Sequence, residues 1–282
     1  GTIGSKYYLK PRSAGGLAKL ARETLSMPEL FEGICQISEY TDVPVRHTED
    51  EMNSDLNNIS PIKLQKADFS TGNTKAFLLY MAYFFDLPLP IRDYATDTKL
   101  VLDNSFRIIS AFADLCALSK NLPNTLLSVQ ALQMVSQGRW ISQSALANLP
   151  GFSDELIAEL PQDMQHLCQL QALHATSQLK SKLEKLKNKI QSDDLKETLS
   201  IIAKLPLLDI EIDLKKIDSD SQEVDPKSGY RFRGGEEARL SLSITDANKQ
   251  SSNEVIMKKF AKHKKNSWWI LAGLPEINTL LA

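Results

Sequence analysis

No glycine loop followed by Lys and Ser or Thr occurs in this sequence, so the amide cradle and phosphate-reaching lysine of a nucleotide-hydrolysing motor are missing. The nearest string, Gly4-Ser5-Lys6, has the wrong order and no strand ahead of it. Histidine is scarce: His47, His166, His174 and His263 show no HExxH spacing, and no CxxC pair accompanies them. That removes the usual zinc and metalloprotease patterns. His166 and Cys168 are the nearest pairing, and two residues apart on a helix they face different ways. The three cysteines, Cys35, Cys116 and Cys168, are odd in number and widely separated. They suit reduced thiols in an intracellular protein, not a disulfide framework. No window approaches the roughly 18–20 uninterrupted apolar residues of a membrane span, and the opening GTIGSKYY lacks the apolar core of a secretory signal, so a soluble protein is expected. Neither charge sign is in excess, since 33 Lys and Arg stand against 35 Asp and Glu. A surface that grips nucleic acid everywhere is excluded, and any such contact must be local.

What remains is ordinary globular material, 42% hydrophobic and 24% charged over 282 residues. That length has room for two or three small domains. The opening Gly1 to Ser5 reads as a cloning remnant and is left out of the fold reasoning. From about residue 15 to 148 apolar residues recur at helical spacing between connectors such as NNISPIK, DLPLPIRDYATD and KNLPNT, which predicts a helical bundle. Lys75 to Phe85 is apolar nearly all round, as expected of a helix buried among others. In residues 99 to 118, Leu102, Phe106, Ile109, Ala113 and Cys116 share one packing face. Asp103, Arg107, Ser110 and Asp114 form a polar stripe beside it, which on spacing alone is a solvated stripe. Arg107→Ala is accordingly expected to leave folding nearly intact.

The string LPGFSDELIAEL (149 to 160) opens a second region, with Pro150-Gly151 as a turn, Ser153 as helix cap, and Asp154 and Glu155 suiting the first-turn dipole. A Lys-rich run (179 to 190) places Leu179, Leu183, Leu186 and Ile190 inward and its lysines on a solvated face. After Pro206 the period changes to two. Leu208, Ile210, Ile212 and Leu214 alternate with Asp209, Glu211 and Asp213; Leu240, Leu242 and Ile244 alternate with serines; SWWIL (267 to 271) is a third candidate strand. These read as half-buried strands of an antiparallel, sandwich-type sheet, possessing too few strands to be complete. The acids of Thr48 to Glu51 fit the exposed first turn of a helix. The basic string KKFAKHKK (258 to 265) is explained equally by phosphate contact and by a charged hairpin.

Three long strings, ISEYTDVPVRHTEDEMN (37 to 53), DYATDTKLVLDNSFRIISAFADLC (93 to 116) and LQMVSQGRW (132 to 140), together resemble the Sec-63-type unit that follows the winged-helix domain in Ski-two-like helicases. The likeness is nearest to the C-terminal cassettes of the cointegrator-complex branch, with the spliceosomal branch beside it. It implies a multidomain, mainly α architecture: a helical bundle (6–148) with a ratchet-like helix, a helix-hairpin-helix region (149–204) and a partial immunoglobulin- or fibronectin-like β-sandwich (205–282). It also implies a non-catalytic module that lines a nucleic-acid channel and docks partner proteins. Residues 99 to 118 match the ratchet, with Arg107 at a basic position and Asn104 and Ser110 on or beside the channel side. Some members carry a second basic residue where Ser110 stands, and Asp103 and Asp114 would repel phosphate. Gly151, in the LPGF turn, matches a position whose backbone amides often approach a phosphate. No catalytic residue, metal ligand or cofactor is assigned to the chain itself; ATP and magnesium belong to the parent's motor domains. The implied partners are the motor and winged-helix domains of the same chain, single-stranded nucleic acid and other protein subunits, in the nucleus or cytoplasm and without a membrane.

Two other classes compete. A protein-translocation component of the endoplasmic reticulum carries a similar unit, although membrane spans and a J domain would be expected in its parent. A pure protein-interaction scaffold is the other. An independent enzyme lacks any motif to support it.

Overall fold

The computed structural model describes residues 2–185, 189–216, 237–252, 254–255, 257, 259–260, 262 and 264–281. Contacts divide the chain into two units, residues 1–144 with 256–282 and residues 145–255. Gly1, Leu186 and His263, named above, lie outside the described residues.

The first unit is a helical bundle of α1 (Thr2–Lys6), α2 (Pro11–Leu20), α3 (Met27–Cys35), α4 (Glu49–Ile59), α5 (Gly72–Phe85), α6 (Asp93–Leu118) and α7 (Leu122–Gln137). Helix α5 is its buried centre, with every side chain from Ala76 to Ala82 out of solvent. The Thr71 hydroxyl caps it by accepting from the Thr74 amide. Around it Phe31, Tyr80, Phe84 and Trp140 form a cluster with ring centroids 5.0 to 6.0 Å apart, mostly tilted or edge-on as aromatic quadrupoles prefer. Cutting Phe84 to Ala would cost about 3–5 kcal/mol in lost transfer energy and cavity. Neither Pro nor Gly interrupts α6, which runs 26 residues against α5 and α7. Helix α7 starts on the Asn121 side chain, which accepts from the Asn124 amide, and stops at Gly138, whose φ of 62° suits glycine.

The last stretch of the chain completes this unit. Lys259 donates to the Gly138 carbonyl at 2.8 Å and to Asp86 at 2.6 Å, Phe260 enters the core, and the Leu280 amide donates to the Lys120 carbonyl. The expected strand at SWWIL is not formed: residues 267–271 carry no ladder, and Trp268, Trp269 and Ile270 are exposed. A β-rich composition yields a strand only where an edge and a packed face await it. Two-residue strands, Gly273–Leu274 and Thr279–Leu280, pair instead. The opening residues, read above as a remnant, are part of the fold, since α1 packs on α2 and α6.

The second unit holds short helices, α8 (Asp154–Ala158), α9 (Leu167–Ala175), α10 (Leu179–Glu184) and α11 (Ser192–Ala203), around their own core of residues such as Leu146, Phe152, Leu170 and Ile202. Ser153 caps α8 as expected, its hydroxyl accepting from the Leu156 amide. Leu179, Leu183 and Ile190 are buried, while Lys182 and Lys189 pair with Asp163 and Glu159 at the surface. Strands β1 (Leu208–Lys216) and β2 (Ala238–Asp246) form one antiparallel ribbon with Ile210 opposite Ile244 and Ile212 opposite Leu242. The alternation was legible, but the half-burial was not: Ile210, Ile212, Leu240 and Ile244 are exposed.

Candidate nucleic-acid face

Helix α6 turns Leu102, Ile109, Ala113 and Cys116 into the core, as its three- and four-residue spacing requires. The neighbouring stripe, Asp103, Arg107, Ser110 and Asp114, stays at the surface, but it is occupied, not merely solvated. The Asp114 carboxylate accepts from Lys6 Nζ at 2.7 Å and from the Tyr7 hydroxyl at 2.9 Å. Asp103 pairs with Lys262 at 2.7 Å. Lys264 Nζ sits 3.3 Å from the centre of the Phe106 ring, and that ring meets Phe260 edge-on at 5.0 Å. Burial, with the Lys262 charge second, lowers the Lys264 pKa, while the Asp114 hydrogen bond raises that of Lys6.

Arg107 is the best-connected member of the stripe. Its Nη1 donates to the Tyr8 carbonyl at 2.6 Å and the Tyr7 carbonyl at 3.2 Å, and its Nη2 donates to Asn104 Oδ1 at 2.6 Å. Asn104 in turn donates to the Leu100 carbonyl. The guanidinium therefore caps the C-terminus of α1, where unpaired carbonyls gather. This overturns the expectation that Arg107 merely faces water. Ser110 lies half-buried between Arg107 and Asp114 on the same stripe. Four cations, Lys6, Arg107, Lys262 and Lys264, thus border the stripe against its two carboxylates, Asp103 and Asp114. The repulsion those aspartates would offer a phosphate is answered by lysines drawn from both ends of the chain.

Of the residues singled out from sequence, Asn104, Arg107 and Ser110 are brought together on α6. Gly151 belongs to the second unit. Its φ is 74°, and a Cβ there would come within 2.8 Å of Ile190 Cγ2 and 3.0 Å of Asp194 Cβ. The turn is filled by its own neighbours and has a carboxylate beside it. Sequence reasoning missed Lys6, Tyr7 and Tyr8, whose aromatic pair was adjacent to the discarded opening. Lys262 and Lys264 fall in the basic string that spacing alone left undecided.

A second cluster is buried and structural. Lys75 is 0% exposed, and its ammonium donates to Glu49 at 2.7 Å, Asp97 at 2.6 Å and the Pro44 carbonyl at 2.9 Å. Arg46 bridges Glu49 and Asp97 from the outside and reaches Asp93. Glu49 is 1% exposed, so the expected exposed first turn is corrected at that residue: the helix does begin there, but its first carboxylate faces a lysine on α5. Burial works to raise the Glu49 and Asp97 pKa values, and the hydrogen bonds from Lys75 and Arg46 outweigh it, leaving both below the ordinary carboxylate range. Among the described residues no group of three or more His, Cys, Asp or Glu is set to hold a metal ion, and no helix is long and apolar enough to cross a membrane. The thiols of Cys35 and Cys116 are buried, with Cys168 exposed.

Comparison with known proteins assigns the whole of this architecture to one group. The Sec63 Brl domain profile matches residues 1–282. The DExH-box ATP-dependent RNA helicase DExH14 of Arabidopsis thaliana is 30% identical over 287 residues, covering all of this chain and 12% of that protein. Activating signal cointegrator 1 complex subunit 3 of Mus musculus is 27% identical over 314 residues, covering all of the chain and 14% of that protein. Its Gallus gallus counterpart reaches 43% over 150 residues, 53% of this chain and 7% of that protein.

Proposed function

The chain belongs to the Sec63 Brl domain family, and we propose that it is a non-catalytic accessory module of an ATP-dependent RNA or DNA helicase, lining the path of a single strand with the α6 stripe and docking partner proteins on its outer surface. Two of the relatives that span the whole chain are named as an RNA helicase and as a subunit of a cointegrator complex, which supports that reading over protein translocation. The motor and winged-helix domains would belong to the same parent chain, with ATP and magnesium held by the motors, in the nucleus or cytoplasm. The exposed Trp268, Trp269 and Ile270 suit the docking of other subunits. The short helices around Gly151 are read as a helix-hairpin-helix region, and the open β1–β2 ribbon as part of a sandwich-type sheet.

The observation that carries the strand-lining role is the pairing of each stripe aspartate with a lysine, leaving two cations in excess among the described residues. Two phosphate contacts on a single strand give a log–log salt slope of about −1.4, so a fourfold rise in salt should weaken binding roughly sevenfold. Fluorescence anisotropy with a labelled single-stranded RNA at about 50 and about 200 mM salt measures this directly. The Lys262→Gln/Lys264→Gln variant should bind more weakly and with a flatter slope. No binding at either salt would leave the scaffold reading in its place.

A further inference from the structure

We propose that Tyr8 is a base-stacking platform for a single nucleic-acid strand, its backbone held at the α6 stripe by Arg107. The inference rests on the strand-lining reading above and names the group that would read the bases.

Helix α1 ends in a paired closure: the Leu9 amide donates to the Gly4 carbonyl at 2.8 Å and the Tyr8 amide to the Ser5 carbonyl at 3.3 Å. This is the Schellman pattern, whose penultimate position adopts the left-handed conformation and is normally glycine or asparagine. Tyr8 stands there with φ at 52°. A bulky residue in that conformation is a strained choice, kept only where its surroundings over-determine it. Arg107 supplies that constraint, donating to the carbonyls of both Tyr7 and Tyr8. Among the described residues the ring is left unpacked, being 86% exposed. Tyr7, one residue earlier, is half-buried and bonds Asp114 through its hydroxyl. The backbone at position 8 favours glycine, and the ring is not packed by the described residues, so the aromatic side chain is available to a ligand.

Its setting says what kind. Along α6 the stripe whose Arg107 holds the Tyr8 carbonyl also carries Lys6 at Asp114, Lys264 on Phe106 and Lys262 at Asp103. A projecting ring beside excess positive charge is the pairing that non-sequence-specific single-strand binders use, because every base has a π-face and every nucleotide a phosphate. The charged groups fixed beside its backbone, Lys6 and Arg107, are both cationic, which favours a phosphate-bearing ligand over an apolar one. Arg107 is then a positioning residue. It spends its donors on the α1 carbonyls and Asn104, and it presents Tyr8 to the strand.

The test is a cycle between the ring and the base. Tyr8→Gly, Tyr8→Phe and the unaltered chain are titrated by anisotropy against a single-stranded RNA of about ten nucleotides, within the usual site size, and against the same strand with abasic ribose units. Tyr8→Gly should weaken binding to the base-bearing strand about 5- to 140-fold, leave abasic binding unchanged and keep the salt slope; Tyr8→Phe should bind like the unaltered chain. Because glycine suits the left-handed position, its melting temperature should stay level or rise by a few degrees, which separates lost stacking from lost folding. Arg107→Lys, which keeps the charge but not the fork, should lose part of the base-dependent affinity at an unchanged salt slope. Unchanged affinity of Tyr8→Gly in a chain that still binds in a salt-sensitive way overturns the stacking role and leaves the strand-lining role standing. Equal losses on base-bearing and abasic strands also overturn it, because the ring would then act through structure. Failure of the unaltered chain to bind either strand overturns both readings and turns the Tyr8 face toward a protein.

Discussion

Replacing Lys75 by Met keeps nearly the same length of side chain on α5 and removes one charge from a site with no solvent. The two carboxylates it holds, Glu49 and Asp97, are 1% and 4% exposed at the side chain, so neither can turn to water when the ammonium is gone. Arg46 remains as a donor to both, but it is 40% exposed and approaches from one side. Breaking a buried ion pair by removing one partner costs roughly 3–5 kcal/mol, because the other charge is left uncompensated. At about 2–4 °C per kcal/mol for a unit of this size, Lys75→Met should lower the melting temperature by about 6–20 °C. Tryptophan emission is the assay of choice, since Trp140, Trp268 and Trp269 all belong to the unit that contains Lys75.

The pH dependence identifies the cause. In the unaltered chain Glu49 and Asp97 sit below their ordinary values of 4.5 and 3.8, so their stabilisation is complete above about 4.5 and is lost as the pH falls below it. Without Lys75 burial dominates and pushes both carboxyls up, so the variant loses stability as the pH rises toward neutrality and recovers it on acidification. The gap between the two melting curves should therefore narrow from pH 7 toward about pH 5, and Glu49→Gln with Asp97→Asn should rescue much of the loss at neutral pH. A melting temperature lowered by less than about 2 °C, or a gap that widens in acid, would refute the reasoning.

In the second unit, Gly151→Ala forces a Cβ into a left-handed position 2.8 Å from Ile190 and should cost about 1–3 kcal/mol. Hydrogen exchange across Asp154–Ala203 should accelerate about fivefold or more, and unchanged exchange would show that the turn is not tightly held. Tyr80→Phe removes the middle of a buried hydroxyl chain, 2.6 Å from both the Tyr40 hydroxyl and Ser105 Oγ, and should cost about 1–2 kcal/mol by the urea midpoint. With burial raising the Cys35 pKa and pushing that of Cys116 up to about 12, a thiol reagent should titrate Cys168 alone in the native chain and the other two only after denaturation.

The parts of this molecule that were legible in its sequence are those encoded by local period. Three- and four-residue steps placed Leu102, Ile109 and Cys116 in the core, and Ser153 announced the start of α8, because helix geometry and capping act within a few residues. The long strings around α4, α6 and α7 carried the family resemblance for a different reason, being too unusual to arise from packing alone. What failed was everything decided by partners far along the chain. Asp114 meets Lys6 across 108 positions, Asp103 meets Lys262, and Arg107 caps a helix 99 residues earlier, so no local pattern could distinguish an occupied stripe from a solvated one. The acids at 48–51 read as a surface turn because the helix dipole explains them locally; only the position of Lys75, 26 residues away, makes Glu49 a core residue. The ribbon shows the same limit from the other side. Alternation in β1 and β2 tells which side chains share a face, and it is silent on what covers that face, since period two follows from the pleat and burial follows from a neighbouring layer.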